Sequence, residues 1–302
     1  MTYTSLDQLI NRARESGKSK RVVAVVAAQD SHTLEAVSQA VKDNIVAAIL
    51  IGPEKKIKDQ LLLLGENPQD YNIVHAETSA DAATRAAELV RAGEADFLMK
   101  GLIQTGDLLR ILLSSEGGLR TGNLMSHLSI VQIPNYHKLI GLTDVAVNIS
   151  PDLSQKKAIV ENAVVTMTRM GFEPPKVAIL ASSEQVNPKM QDSVDAGELK
   201  KMNLEGILSG CIIEGPLSYD LAISRESAEI KGFESPVCGE VDLMVVPNMT
   251  AGNILLKALR YSAGAGSAGI VIGGKVPIVL TSRAVETQDK FLPLALAASA
   301  TL

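Results

Sequence analysis

Three polar residues near the carboxyl end of this chain, Ser282, Arg283 and Asp289, stand at spacings that suit chemistry on a phosphate. They follow VPIVL at 276–280, which reads as a buried strand, so a hydroxyl and a guanidinium fall where a strand gives way to a loop. An arginine grips phosphate oxygens bidentately, a serine hydroxyl donates to a developing oxyanion, and a carboxylate exchanges a proton. Upstream, VVPNMTAGNILLK at 245–257 reads as a strand ending at Pro247 and a helix opening near Ala251. Gly252 there allows a ligand to approach the backbone, and first-turn amides attract anions. Lys257 lies one turn after Asn253 on the same face. The competing readings are a charged, solvated turn at 281–289, and helix capping with a surface amine at Asn253 and Lys257.

Other motifs carry less. Residues 264–269 spell GxGxxG, but a helix pattern precedes them and a strand pattern follows, the reverse of what a dinucleotide pyrophosphate needs. No GxxxxGK[ST] or GxSxG occurs, which removes those routes to ATP hydrolysis and to a serine hydrolase. The four histidines are scattered, and Cys211 and Cys238 fit neither a redox pair nor a zinc site, so no metal is expected.

The elements that must position these groups alternate strand with helix. Apolar runs at 22–28, 47–51, 73–76 and 95–99 are separated by helical periodicity at 32–43, 54–64 and 79–92, the pattern of a parallel sheet covered on both faces. Ser31, Ser79 and Thr105 are the expected helix caps, and the loops at 29–31 and 100–105 the expected ligand crevice. A second α/β run follows, with strands at 176–181, 207–213 and 242–246 and helices at 155–170, 188–201 and 251–263. The expected division is residues 1–125 plus 282–302 in a first α/β lobe and 126–281 in a second.

Aliphatic residues dominate an apolar fraction of 46%, with aromatics at 3% and no tryptophan, as strands buried on both faces require. A net charge of −5 argues against a general binder of nucleic acid or of a membrane surface. With no apolar run near the ~18 residues of a span and no signal-peptide centre, a cytoplasmic protein is expected.

Ordered blocks along nearly the whole chain resemble the phosphate acetyl/butyryltransferase family. They are Met99-Lys100-Gly101 with Thr105 and Leu108-Leu109-Arg110; the run from Asp144 to Asn148; Asn187-Pro188-Lys189; Glu214-Gly215-Pro216 with Asp220-Leu221-Ala222; Ala251-Gly252-Asn253 with Lys257; and Ser282-Arg283 with Asp289. EGPLSYDLAIS and VLTSRA look more like the butyryl branch, since the acetyl branch usually carries Asp-Leu where this chain has Leu280-Thr281.

The resemblance implies two α/β lobes around a cleft, similar to the isocitrate and isopropylmalate dehydrogenases, in an assembly of at least a dimer. It implies reversible transfer from butyryl-CoA, or a similar short or branched acyl-CoA, to phosphate. CoA and phosphate are then substrates, with no tightly bound cofactor. Ser282, Arg283 and Asp289 would act on the reacting groups, with Thr105, Arg110, Gly252, Asn253 and Lys257 binding substrate. In the reverse direction Asp289 would take the CoA thiol proton. An ordinary carboxylate and a thiol differ by roughly 4.6 pK units, about 6 kcal/mol, which burial and a neighbouring arginine must offset. The alternatives are an acetyl-preferring enzyme, a dehydrogenase of the related fold and a non-catalytic acyl-CoA sensor.

Overall fold

The computed structural model describes residues 2–15, 20–281 and 287–301. In chain order its elements begin α1 (Leu6–Glu15), β1 (Arg21–Val26), α2 (Ser31–Lys42), β2 (Val46–Gly52), α3 (Glu54–Leu63), β3 (Asn72–His75), α4 (Ser79–Ala92), β4 (Phe97–Lys100) and α5 (Thr105–Leu112). They continue with β5 (Ser126–Gln132), β6 (Ile140–Thr143), α6 (Leu153–Arg169), β7 (Lys176–Leu180), α7 (Gln191–Leu204), β8 (Ile212–Leu217), α8 (Tyr219–Ile223) and α9 (Arg225–Ile230). Last come β9 (Leu243–Val245), α10 (Met249–Ser262), β10 (Gly266–Ile272), β11 (Ile278–Val279) and α11 (Thr287–Ala300).

The chain forms two compact α/β units, Asp7–Asn123 with Ala268–Leu302, and Met1–Leu6 with Leu124–Ser267. The sequence reading returned the chain to the first unit at 282, whereas the return falls at 268. The reason is pairing: β11 runs parallel to β4, and β10 pairs antiparallel with β11. The first six residues, expected with the first unit, belong with the second. Tyr3 is buried there, its hydroxyl donating to the Met170 carbonyl at 2.8 Å and its ring edge-on to Phe172.

In the first unit the strands run β3-β2-β1-β4-β11, all parallel, with β10 beyond β11. Residues 23–28 are buried without interruption, because helices cover both faces and leave no side of β1 for solvent. In α4 the buried face is Ala82, Ala83, Ala86, Ala87 and Val90, small side chains that let the helix lie close to the sheet. The caps fall one residue earlier than expected. Asp30 and Thr78, both extended, accept from the Thr33 and Asp81 amides, so Ser31 and Ser79 are the first helical residues. Thr105 is also a first helical residue, after Gln104, which makes no side-chain cap bond. Gly101 is a close approach: its amide donates to the Val26 carbonyl at 2.8 Å, and a Cβ there would lie 2.3 Å from the Ala27 oxygen.

In the second unit the strands run β5-β6-β9-β7-β8, with β5 antiparallel to β6 and the others parallel. The strand expected at 207–213 is displaced to Ile212–Leu217. Asn203 is the cause, since its side chain donates to the carbonyls of Leu208 and Cys211 and accepts from the Ile213 amide, folding 205–211 into a loop. Glu214 can then sit buried within a strand because Lys200 pairs with it at 2.6 Å. Among the described residues no helix is long and apolar enough to cross a membrane.

Candidate active site

In the first unit the carboxyl ends of β1, β4 and β11 are neighbours, and a polar residue follows or ends each strand. This edge of an open parallel sheet is where ligands bind. At β4, Lys100 is buried and its Nζ donates to the carbonyls of Gly101 and Ile103 at 3.3 and 3.2 Å. After β11, Thr281 is buried with its hydroxyl unpaired among the described residues. An unsatisfied buried hydroxyl costs about 1–3 kcal/mol, and this one directly precedes Ser282.

Beyond β1, Asp30 caps α2 and also receives Lys290 of α11, with Nζ to Oδ1 at 3.1 Å. Burial pushes the Asp30 carboxyl up, but hydrogen bonds from Thr33 and the Lys290 charge outweigh it and hold the group below its ordinary range.

Of the residues expected to react, Ser282 and Arg283 lie outside the described residues. Asp289 falls in the first turn of α11, its side chain outside them as well. Arg110 lies on the exposed face of α5, bridged to Asp107 three residues earlier at 2.5 Å. Thr105 is exposed at the start of the same helix.

In the second unit, the segment from Asp144 to Asn148 is a turn organised by one carboxylate. Asp144 is buried and accepts from the Ala146, Val147 and Asn148 amides at 2.9, 3.0 and 3.2 Å and from Asn148 Nδ2 at 2.6 Å. Beside it, His127 has a buried Nδ1 with no partner among the described residues. Burial pushes this imidazole down to about 4, against the opposing pull of Asp144, so it is neutral at neutral pH. From the sequence, His127 is expected only to be a surface or satisfied core residue rather than a metal ligand.

The start of α10 packs against that turn. The contact that demands glycine at 252 is with protein, not ligand: a Cβ there would meet Val246 Cγ2 at 2.7 Å, Val145 Cγ1 at 3.0 Å and the Asp144 carbonyl at 3.1 Å. Three opening amides are already used, Met249 on the Ile149 carbonyl, Ala251 on the Asn248 side chain and Gly252 on the Asn248 carbonyl. That reduces the anion-binding capacity expected of this helix end. Asn253 Nδ2 donates to the Val145 carbonyl at 3.4 Å, while Lys257 is exposed with no ion pair among the described residues.

A cavity of about 690 Å³ lies among the first turns of α6, α7 and α10. Asp152, Asp192, Asp195 and Glu198 line it against one cation, Lys156, which Asp195 already neutralises at 2.6 Å. Four carboxylates to one ammonium make it unfavourable for a phosphate-bearing substrate. Neither cysteine offers an activated thiol: Cys211 is pushed up to about 11 by burial, and Cys238 upward for the same leading reason.

Comparison with known proteins agrees with this architecture. The family described as phosphate acetyl/butaryl transferase matches residues 71–298. A phosphate acetyltransferase of Thermotoga maritima is 43% identical over 97% of this chain and 98% of its own length. A phosphate butyryltransferase of Clostridium acetobutylicum is 41% identical over 97% of each. Among solved structures, a branched-chain phosphotransacylase from Enterococcus faecalis V583 superposes with a TM-score of 0.82 at 34% identity, covering 93% of this chain and 99% of that one. A 4-hydroxythreonine-4-phosphate dehydrogenase from Klebsiella pneumoniae shares the fold alone, with a TM-score of 0.62 at 10% identity over 94% of this chain and 100% of that one. The fold is thus an α/β architecture shared by acyltransferases and dehydrogenases. Within it, this chain belongs to the phosphate acetyl/butyryltransferase family.

Proposed function

We propose that this protein transfers a short acyl group, four-carbon or branched, between coenzyme A and inorganic phosphate in both directions, in one ternary complex without an acyl-enzyme. The observation that carries the reading is full-length similarity to enzymes named for this reaction, 41% with the Clostridium acetobutylicum butyryltransferase and 34% with the branched-chain phosphotransacylase.

In the forward direction a phosphate oxygen attacks the thioester carbonyl, and the CoA thiolate leaves and takes, through Asp289, the proton that phosphate gives up. In reverse, Asp289 removes the thiol proton, sulfur attacks the acyl phosphate carbonyl, and phosphate departs. Arg283 and Arg110 bind phosphate oxygens, Thr105 at the start of the same helix adds a hydroxyl, and Ser282 donates to the carbonyl oxygen as it becomes negative. Asn253 and Lys257, beside Gly252 on α10, contact phosphate or the CoA pyrophosphate. Acyl-CoA and phosphate enter as substrates, with no tightly bound cofactor. The working form is a cytoplasmic homo-oligomer.

The test is phosphate-dependent thiol release by the purified protein with acetyl-, butyryl- and isobutyryl-CoA. Release only with phosphate present, and kcat/KM at least about 10-fold higher for the four-carbon substrates, is expected, because each methylene is worth about 1–3 kcal/mol in a fitted pocket. Phosphate-independent release, or Arg283→Gln turning over near the wild-type rate, overturns the mechanism. A faster rate with acetyl-CoA would establish the second reading, an acetyl-preferring enzyme.

A further inference from the structure

Helix α11 carries Pro293 in its interior. Proline has no amide hydrogen, and the carbonyl that would receive a helical hydrogen bond from position 293 is that of Asp289, four residues earlier. Beyond the break the helix is held by burial, with Leu294, Ala295, Leu296, Ala297 and Ala298 all in the core. The first turn, which bears Asp289, loses one of the bonds that would tie it to that buried segment, because position 293 has no amide hydrogen for the Asp289 carbonyl.

Two side chains flanking Asp289 tie this turn to α2 instead. Thr287 Oγ1 donates to Glu35 Oε2 at 2.6 Å. Lys290 is 3% exposed, and its Nζ donates to Asp30 Oδ1 at 3.1 Å and to Thr33 Oγ1 at 2.9 Å. The same Asp30 oxygen accepts from the Thr33 amide at 3.0 Å, so the ammonium grips the cap of α2 itself. A buried ammonium is strongly destabilising unless paired, and this pair therefore permits little displacement of the helix.

We propose that Thr287 and Lys290 are positioning residues for Asp289, two latches to α2 that fix the first turn of α11 where its own ladder lacks a bond. The proposal rests on the acid–base role given to Asp289 above. It adds that the place of the turn bearing Asp289 is set by α2, whose cap Asp30 follows β1 at the same sheet edge. A displacement of about 1 Å in a reacting group lowers turnover about 100-fold, so loosening either latch acts on kcat.

The experiment measures thiol release by Thr287→Val, Thr287→Ser, Lys290→Met and Asp289→Asn, and by Thr287→Val and Lys290→Met each combined with Asp289→Asn, all checked for folding by circular dichroism. Thr287→Val and Lys290→Met are expected to lower kcat by about 10- to 100-fold with KM changed by less than about threefold, and Thr287→Ser to retain the rate. In the Asp289→Asn background the same substitutions should change the residual rate by less than about twofold, because a latch has nothing left to position. Equal losses in both backgrounds, or single variants within about twofold of wild type, overturn the proposal. Should Lys290→Met fail to fold, Thr287→Val, which exchanges one hydroxyl for a methyl, decides alone. If Asp289→Asn itself keeps the wild-type rate, the acid–base assignment fails first, visibly in that single variant, and the positioning role falls with it.

Discussion

Lys290 and Asp30, 260 residues apart in sequence, meet at 3.1 Å inside the first unit and join its last helix to the cap of its second. Asp30 therefore serves two structures at once, an N-cap and a buried ion pair. Asp30→Asn keeps an oxygen for the Thr33 amide but leaves Lys290 buried without a counter-charge, and should destabilise by about 3–5 kcal/mol. Asp30→Ala should lose about 1 kcal/mol more, the worth of a cap. Because the folded carboxyl is held below its ordinary 3.8, its contribution is complete above that value and disappears as pH falls through the lowered one. Urea unfolding of wild type and both variants at pH 7, and of wild type down to pH 3, tests the order and the sign; Asp30→Ala more stable than Asp30→Asn contradicts the double role.

His127 also costs stability as pH falls, but over a higher window than Asp30. Its folded value is pushed from 6.5 down to about 4 by burial, with Asp144 the charge that opposes the shift. Between those values the unfolded chain binds the extra proton, so stability falls as pH drops, by about 1.4 kcal/mol per pH unit from this group. Above about pH 6.5 the penalty is absent. His127→Asn should flatten the stability profile between pH 6.5 and pH 4 relative to wild type; parallel profiles would show that the imidazole is not held neutral.

Two glycines should respond to a methyl group in different degrees, because different neighbours receive it. At Gly101 the added carbon would lie 2.3 Å from the Ala27 oxygen and 2.8 Å from the Val26 oxygen, both backbone acceptors of the strand pairing itself. Gly101→Ala should cost more than about 4 kcal/mol or prevent folding. At Gly252 the nearest atoms are methyl ends of Val246 and Val145, with the Asp144 carbonyl next, so Gly252→Ala should cost about 1–3 kcal/mol and leave a folded protein. Thermal unfolding of the two variants ranks them, and a milder Gly101→Ala would contradict the packing.

Apolar runs such as 22–28 and 47–51 announce their strands because burial leaves no polar position to confuse the pattern. Helix 79–92 is equally plain from its spacing. What sequence alone misses depends on single side chains acting across distance. Asn203 reaches three backbone groups and moves a strand edge from 207 to 212. Tyr3 carries the amino-terminal residues into the second unit through one carbonyl and one ring. Ser31 and Ser79 look like caps, but the residues before them stay extended and aim their oxygens at the third helical amide. In the candidate site, the block 144–148 is visible as a resemblance, yet nothing in its spacing tells that Asp144 holds four donors or that His127 stands beside it unprotonated. Lys290 goes unread because a lysine beside an aspartate on a helix usually faces water, and here it is buried.

Arg110 is assigned to phosphate, yet its guanidinium is bridged to Asp107 at 2.5 Å, and both side chains are largely exposed. An exposed pair of this kind is worth little to stability, so removing either member should leave the unfolding midpoint unchanged. Binding is another matter: if Arg110 holds phosphate as proposed, Asp107 competes with it for the same donors. Arg110→Gln should raise KM for phosphate by about 10-fold or more, since a charge-assisted bidentate contact is lost. Asp107→Asn should move KM for phosphate the other way by a few-fold, since it frees the arginine and removes a repelling charge. The two shifts should shrink together as salt rises, the signature of an exposed electrostatic contact. Initial rates against phosphate at low and high ionic strength for the three proteins test the pair; if both variants shift KM in the same direction, Arg110 does not hold the anion and Asp107 is not its competitor.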